Sequence, residues 1–157
     1  MRLYLVQHAL AFTKEENPER NITDDGISQT QKMADFFAGL NTEIFIIWHS
    51  GKKRAEQTAA IFATRLGIPN RMMVHSSLGP LDHCGPVFDV LKDTHHNTLI
   101  VGHLPYLSRL LSSLVSCGED KKILNFCNSG IACLERTEES WELLWSVTPE
   151  ILHPYLM

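Results

Sequence analysis

Ile44-Phe45-Ile46-Ile47-Trp48-His49-Ser50-Gly51 is an apolar run that breaks at a polar turn, and residues 52 to 66 follow as a helix ended by Gly67 and Pro69. Ile44 to Trp48 reads as a buried strand, so the stretch is one strand-turn-helix unit. The same logic holds upstream. Leu3 to Val6 is a short buried strand, Lys14 to Asn21 is a polar loop, and Thr23 is an N-cap followed by Asp24 and Asp25, whose charges suit a helix start. Ile27, Met33, Ala34, Phe37 and Leu40 recur at helical spacing, which predicts an amphipathic helix over 24 to 39.

Downstream, Met72 to Val74 is a short strand, Leu78 to Pro86 a Pro/Gly-rich loop and Val87 to Leu91 a short helix. Thr98 to Val101 is a further buried strand, and Gly102-His103 leads into a helix from Pro105 to Val115, where a first-turn proline loses no hydrogen bond. Ile123 to Cys127, Ile131 to Glu135 and Trp141 to Val147 read as strands separated by turns. Strand-helix alternation with three such turns predicts an α/β fold. It is a three-layer α/β/α arrangement whose mostly parallel sheet has helices on both faces and an antiparallel edge.

The chain has 157 residues, and with no repeat, low-complexity tract or long linker it is expected to form one domain over 1–157. Its formal net charge of −4 argues against a nucleic-acid partner or an anionic membrane surface, which both need a basic face. An anionic ligand must therefore be drawn in by a few local cations. Cys84, Cys117, Cys127 and Cys133 show no CxxC pair or zinc-type spacing, and are expected as reduced thiols, including Cys127 and Cys133 across a hairpin. Met1 to Val6 is too short for a signal peptide, and no apolar run approaches the length of a membrane span, so a cytoplasmic location is expected.

In an open α/β sheet, ligands bind at the carboxyl ends of the strands, beside helix N-termini that supply N–H groups to anions. Three strands end in Gln7-His8-Ala9, in His49-Ser50 with Arg54 following, and in Gly102-His103. Each residue alone has an ordinary structural explanation. Together, two histidines and an arginine converge on one rim from distant parts of the chain.

These residues carry a resemblance. Leu5-Val6-Gln7-His8-Ala9 resembles the Arg-His-Gly signature of the histidine phosphatase superfamily, and Ser50 to Ala59 is similar to its Ser-Pro-x-x-Arg-Ala-x-Gln-Thr motif. Ile100-Val101-Gly102-His103 resembles its second catalytic histidine with the preceding strand, and Ile22 to Gln29 resembles its Leu-Thr-x-x-Gly-x-x-Gln helix start. The chain's length, His103-Leu104-Pro105 and the segment Asn128 to Ala132 are similar to the SixA-like phosphohistidine phosphatase branch.

The resemblance implies a phosphoglycerate mutase-like fold and a catalytic set of His8, Arg54 and His103. His8 would form a covalent phosphohistidine, Arg54 would fork two phosphoryl oxygens, and His103 would donate to another oxygen. It further implies phosphate or substrate contacts from Gln7, Arg20, Ser50 and Ser129, with Asp82 as candidate general acid. No metal or cofactor is called for; His95-His96 has no carboxylate at ligand spacing.

Gln7 stands where the family has arginine. A hydrogen bond to a charged group contributes roughly 1.5–3 kcal/mol against about 1 for a neutral pair, so the rate falls on the order of tenfold if the deficit lies in the transition state. Lys52, Lys53 and Arg20 are candidates to compensate. Gly51 replaces the family's proline, and Ala9 its glycine, which implies that residue 9 has no positive φ. Three readings follow: a phosphatase of protein phosphohistidine, a degenerate phosphatase that binds phosphorylated partners without turnover, and a phosphomonoesterase of small phosphorylated substrates.

Overall fold

The computed structural model describes residues 1–116, 118 and 120–152, so Cys117 lies outside the described residues. In chain order they form β1 (Arg2–Gln7), α1 (Asp24–Gly39), β2 (Ile46–His49), α2 (Lys53–Arg65), β3 (Met72–Val74) and α3 (Gly85–Lys92). There follow β4 (Thr98–Gly102), α4 (Tyr106–Ser116), β5 (Ile131–Arg136), β6 (Trp141–Val147) and α5 (Pro149–Leu152). The strands make one sheet in the order β3-β2-β4-β1-β5-β6. The first four are parallel, whereas β5 runs antiparallel to β1 and β6 antiparallel to β5.

Alternation along the central strands builds two cores. Tyr4, Val6, Leu99 and Val101 face α1 and α2, where Met33, Phe37, Ala59 and Phe62 pack. Leu3, Leu5 and Ile100 face α3 and α4, against Val87, Leu91, Leu107 and Leu110. With both faces covered, these strands are apolar throughout. The Phe37 ring meets Tyr4 edge-on at 4.7 Å and Phe62 at 6.3 Å, joining α1 to the sheet and to α2.

Differences from the sequence reading are local. Ile123 to Cys127 is not a strand, because both edges of β5 are already taken by β1 and β6. Leu124 and Phe126 instead pack against the α4 side of the core. Leu40 lies beyond the apolar stripe as the C-cap of α1 and is exposed. The strand expected from Ile44 begins at Ile46, and α5 carried no sequence signal. Cys127 and Cys133 are free thiols, and no helix among the described residues is long and apolar enough to cross a membrane.

The start of α1 is docked onto the segment after β1. Thr23 caps the helix through Oγ1, which accepts from the Gly26 N–H at 3.0 Å, and its own N–H donates to the Leu10 carbonyl at 2.9 Å. A Cβ on Gly26 would stand 2.3 Å from that same carbonyl oxygen, so only glycine permits the approach. Gly26→Ala is therefore expected to cost about 1–3 kcal/mol of stability by forcing backbone apart. Chemical denaturation measures it, and an unchanged midpoint would contradict this packing.

Candidate active site

The β1–β4 register sets Gln7 opposite Gly102, and the His8 N–H donates to the Gly102 carbonyl at 3.0 Å. Asn128 Nδ2 donates to the His8 carbonyl at 2.8 Å. The Ala9 N–H donates to Thr58 Oγ1 at 2.9 Å, and that hydroxyl donates to the Arg54 carbonyl at 2.7 Å. His8 is thus held by β4, by the turn before β5 and by α2. Its Nδ1 lies 2.8 Å from the Ala9 carbonyl oxygen. A carbonyl only accepts, so the proton sits on Nδ1 and the Nε2 lone pair is free. Burial is the main cause that pushes His8 down to about 4, with Arg54 and Arg20 acting in the same direction, which leaves a neutral imidazole at pH 7.

His103 follows β4, its ring centroid 5.0 Å from that of His8 and its side chain almost fully buried. Burial, then the neighbouring His8 and the cations Arg54, Lys52 and Arg20, push it down to about 3. Its Nε2 is 2.7 Å from Ser50 Oγ, while its buried Nδ1 has no hydrogen-bond partner. A buried orphan N–H is costlier than an orphan lone pair, which assigns the proton to Nε2, donating to Ser50. Ser50 Oγ also accepts from the Lys52 N–H at 3.3 Å, so its own hydrogen is left for a ligand.

Arg54 lies in the first turn of α2, half-buried, with Nε orphaned and no carboxylate partner among the described residues. Burial and the nearby Arg20 guanidinium pull it below its ordinary value. Arg20 has φ +53°, and its Nε donates to the Phe12 carbonyl at 3.0 Å. Its loop is pinned by Gln57, whose Oε1 accepts from the Ile22 N–H and whose Nε2 donates to Asn21 Oδ1, both at 2.9 Å. Along α2, Arg54 faces the site, Ala55 enters the core, Gln57 fixes the Arg20 loop and Thr58 fixes Ala9. A desolvated cation beside two neutral imidazoles, with the Arg54 Nε–H and the Ser50 hydroxyl hydrogen unfilled, is a receptacle for an anion.

Residues 3–75 match the model of the histidine phosphatase superfamily (branch 1). The phosphohistidine phosphatase SixA of Escherichia coli K12 is 26% identical over 155 residues, covering 95% of this chain and 94% of that protein. The structure of the protein histidine phosphatase SixA complexed with tungstate superposes with TM-score 0.86 at 25% identity, over 97% of this chain and 99% of that one. The chain is similar to the histidine phosphatase superfamily in sequence over residues 3–75 and in fold over nearly its whole length. The fold extends to more distant proteins: a phosphoserine phosphatase from Entamoeba histolytica bound to phosphoserine matches with TM-score 0.73 at 16% identity, covering 96% of this chain and 98% of that one.

Against the superfamily's signature, the structure brings together His8, His103, Arg54, Arg20 and Ser50. Gln7 ends β1 beside them, and its Oε1 is buried without a partner. Ser129 is placed elsewhere. It is fully buried, and its hydroxyl is 2.8 Å from Thr30 Oγ1, which itself donates to the Gly26 carbonyl. Ser129 must therefore donate to Thr30, and its hydroxyl is spent inside the fold. Its N–H and the Gly130 carbonyl clasp Gln7 instead, at 2.9 and 3.3 Å.

Asp82 is tied into its own loop. Its Oδ2 accepts from the Gly79 N–H at 2.6 Å, closing its own turn. Gly51 has φ +85°, a conformation that proline cannot adopt, so the glycine defines a turn that proline could not form. Ala9 is not among the residues with positive φ. Sequence reasoning left Thr58, Gln57 and Asn128 without individual roles, although all three lie in motifs that it quoted.

Below about pH 6.5 the unfolded chain takes up protons on its histidines. The folded chain does so only at about 4 for His8 and about 3 for His103. The unfolded state then binds more protons across this window, so stability rises with pH up to about 6.5 and is lost as pH falls. Denaturation midpoints should decline from pH 6.5 toward 4, with a shallower decline in His8→Gln. A flat profile would contradict the burial of neutral imidazoles.

Proposed function

We propose that the chain is a phosphatase of protein phosphohistidine that works through a covalent intermediate on His8. The observation that supports this most is the neutral His8 ring, its Nε2 lone pair free and its Nδ1 proton held by the Ala9 carbonyl, beside an Arg54 with no carboxylate partner. In this reading His8 Nε2 attacks phosphorus as the P–N bond to the substrate imidazolium breaks. The departing ring takes the bonding pair and leaves as neutral imidazole, so no carboxylic acid is needed and Asp82 has no part. Water then attacks the phosphoimidazolium. The pair of the P–Nε2 bond returns to His8, water's proton passes to solvent, and inorganic phosphate departs.

Phosphoryl transfer demands positioning and charge stabilisation above all. Arg54 would fork two oxygens, Arg20 and Lys52 would add positive potential, and the Ser50 hydroxyl, oriented by the His103 Nε2–H, would donate a further hydrogen bond. This scheme uses the whole chain as one domain and calls for no metal. It places the protein in the cytoplasm, where its thiols stay reduced, and its substrate is a phosphorylated protein. SixA, named a phosphohistidine phosphatase, is the relative that favours this substrate.

One observation favours a second reading, in which phosphorylated partners are bound without turnover. Gln7 brings no charge where the superfamily has arginine. Wild type, His8→Ala and Gln7→Arg should be compared on a phosphohistidine-bearing protein and on p-nitrophenyl phosphate. The phosphatase reading expects phosphate release by wild type, loss to background in His8→Ala, and a gain of about tenfold in Gln7→Arg. Inert wild type with active Gln7→Arg would favour the binding reading, and inertness of both would remove the case for catalysis.

A further inference from the structure

A groove of about 420 Å³ lies beside the nucleophile, lined by Leu10, Gln29, Asn125, Asn128, Thr148 and Glu150 among others. Asn128 joins it to the reaction centre, because its side-chain amide also donates to the His8 carbonyl. Leu10, two residues beyond His8, is 42% exposed and offers an apolar contact at the mouth. The rest of the named lining is amide, hydroxyl and carboxylate. Such groups match a peptide backbone, which presents a donor and an acceptor at every residue.

The charges are unevenly distributed. Arg20, Lys52 and Arg54 are the cations felt by the two histidines. Glu150, in the first turn of α5, is the one acidic side chain lining the groove and forms no ion pair among the described residues. A substrate backbone that leaves His8 on the Asn128 side meets this rim. Extended residues advance about 3.3–3.6 Å each, so the second or third neighbour of the phosphorylated residue lies about 7–11 Å along the chain.

We infer that this groove receives the polypeptide flanking the phosphorylated side chain, and that Glu150 selects a lysine or arginine two or three residues away. The inference rests on the phosphoprotein reading above. It adds a specificity-determining residue outside the reaction centre. An exposed ion pair of this kind is weak and screened by salt, which fixes the expected size and conditions.

The test uses phosphohistidine peptides carrying either Lys or Glu at the second and third positions on both sides of the phosphohistidine, with free phosphohistidine as a third probe. Binding is measured at low salt by calorimetry on His8→Ala, which cannot form the covalent intermediate. The Lys peptide should bind more tightly than the Glu peptide. The ratio of the two affinities should fall about tenfold when Glu150→Lys is added, and shrink as salt is raised.

The same ratio should appear in kcat/KM for wild type and Glu150→Lys, where any general loss cancels. A ratio that Glu150→Lys does not move would overturn the inference. So would equal affinity for the peptides and for free phosphohistidine, which would mark a small phosphorylated compound as the ligand. A charge preference in binding, combined with no hydrolysis of any probe by wild type, would uphold the groove and overturn the catalytic reading alone.

Discussion

In a parallel sheet the carboxyl ends of the strands emerge on one edge, and the pairing of β1 with β4 decides which residues meet there. Gln7 opposite Gly102 sets His8 and His103 side by side, 5.0 Å apart between ring centroids. A slip of one residue would turn every side chain of β1 to the opposite face and exchange the two cores it joins. The hydrophobic alternation of Leu3, Tyr4, Leu5 and Val6 therefore protects the geometry of the site as well as the packing. The helices after β1 and β4 leave to opposite faces, α1 to one and α4 to the other, which opens the crevice that the histidines occupy.

The electrostatics follow from that placement. Two imidazoles are buried far enough to stay neutral, and a half-buried arginine has no carboxylate to pair it among the described residues. An uncompensated cation in a poorly solvated site is costly, and an arriving oxyanion relieves that cost. The chain as a whole carries −4, so attraction of an anion is a property of this rim alone. Gln7 lowers the positive charge relative to the superfamily's pattern, while Ser129 and Gly130 clasp residue 7 through main-chain groups alone.

Positioning is divided among residues that never face the crevice. Thr58 ties the Ala9 N–H to the Arg54 carbonyl, Gln57 ties α2 to the loop that bears Arg20, and Gly26 lets α1 close onto the Leu10 carbonyl. Ser129 and Thr30 form a buried hydroxyl chain that ends on the Gly26 carbonyl, linking the turn before β5 to the start of α1. A motif such as Arg54 to Thr58 therefore combines one residue for the ligand with three for the scaffold.

Sequence alone determined the layer architecture, the strand-end positions of His8, Ser50 and His103, and the cap at Thr23. These depend on local periodicity and on the chemistry of single residues, both of which are written in neighbouring positions. Tertiary structure decided the rest. It turned Ile123 to Cys127 from an expected strand into a wrapped segment, because β5, the next strand in the chain, is already paired on both sides by β1 and β6. It sent the Ser129 hydroxyl inward to Thr30, and closed Asp82 onto Gly79. It also set the tautomer of His8 through the Ala9 carbonyl and left Arg54 without a carboxylate. Some of these outcomes depend on which distant segments meet, and the two local contacts, His8 with Ala9 and Asp82 with Gly79, depend on the loop conformation that the surrounding fold imposes; no local pattern encodes either.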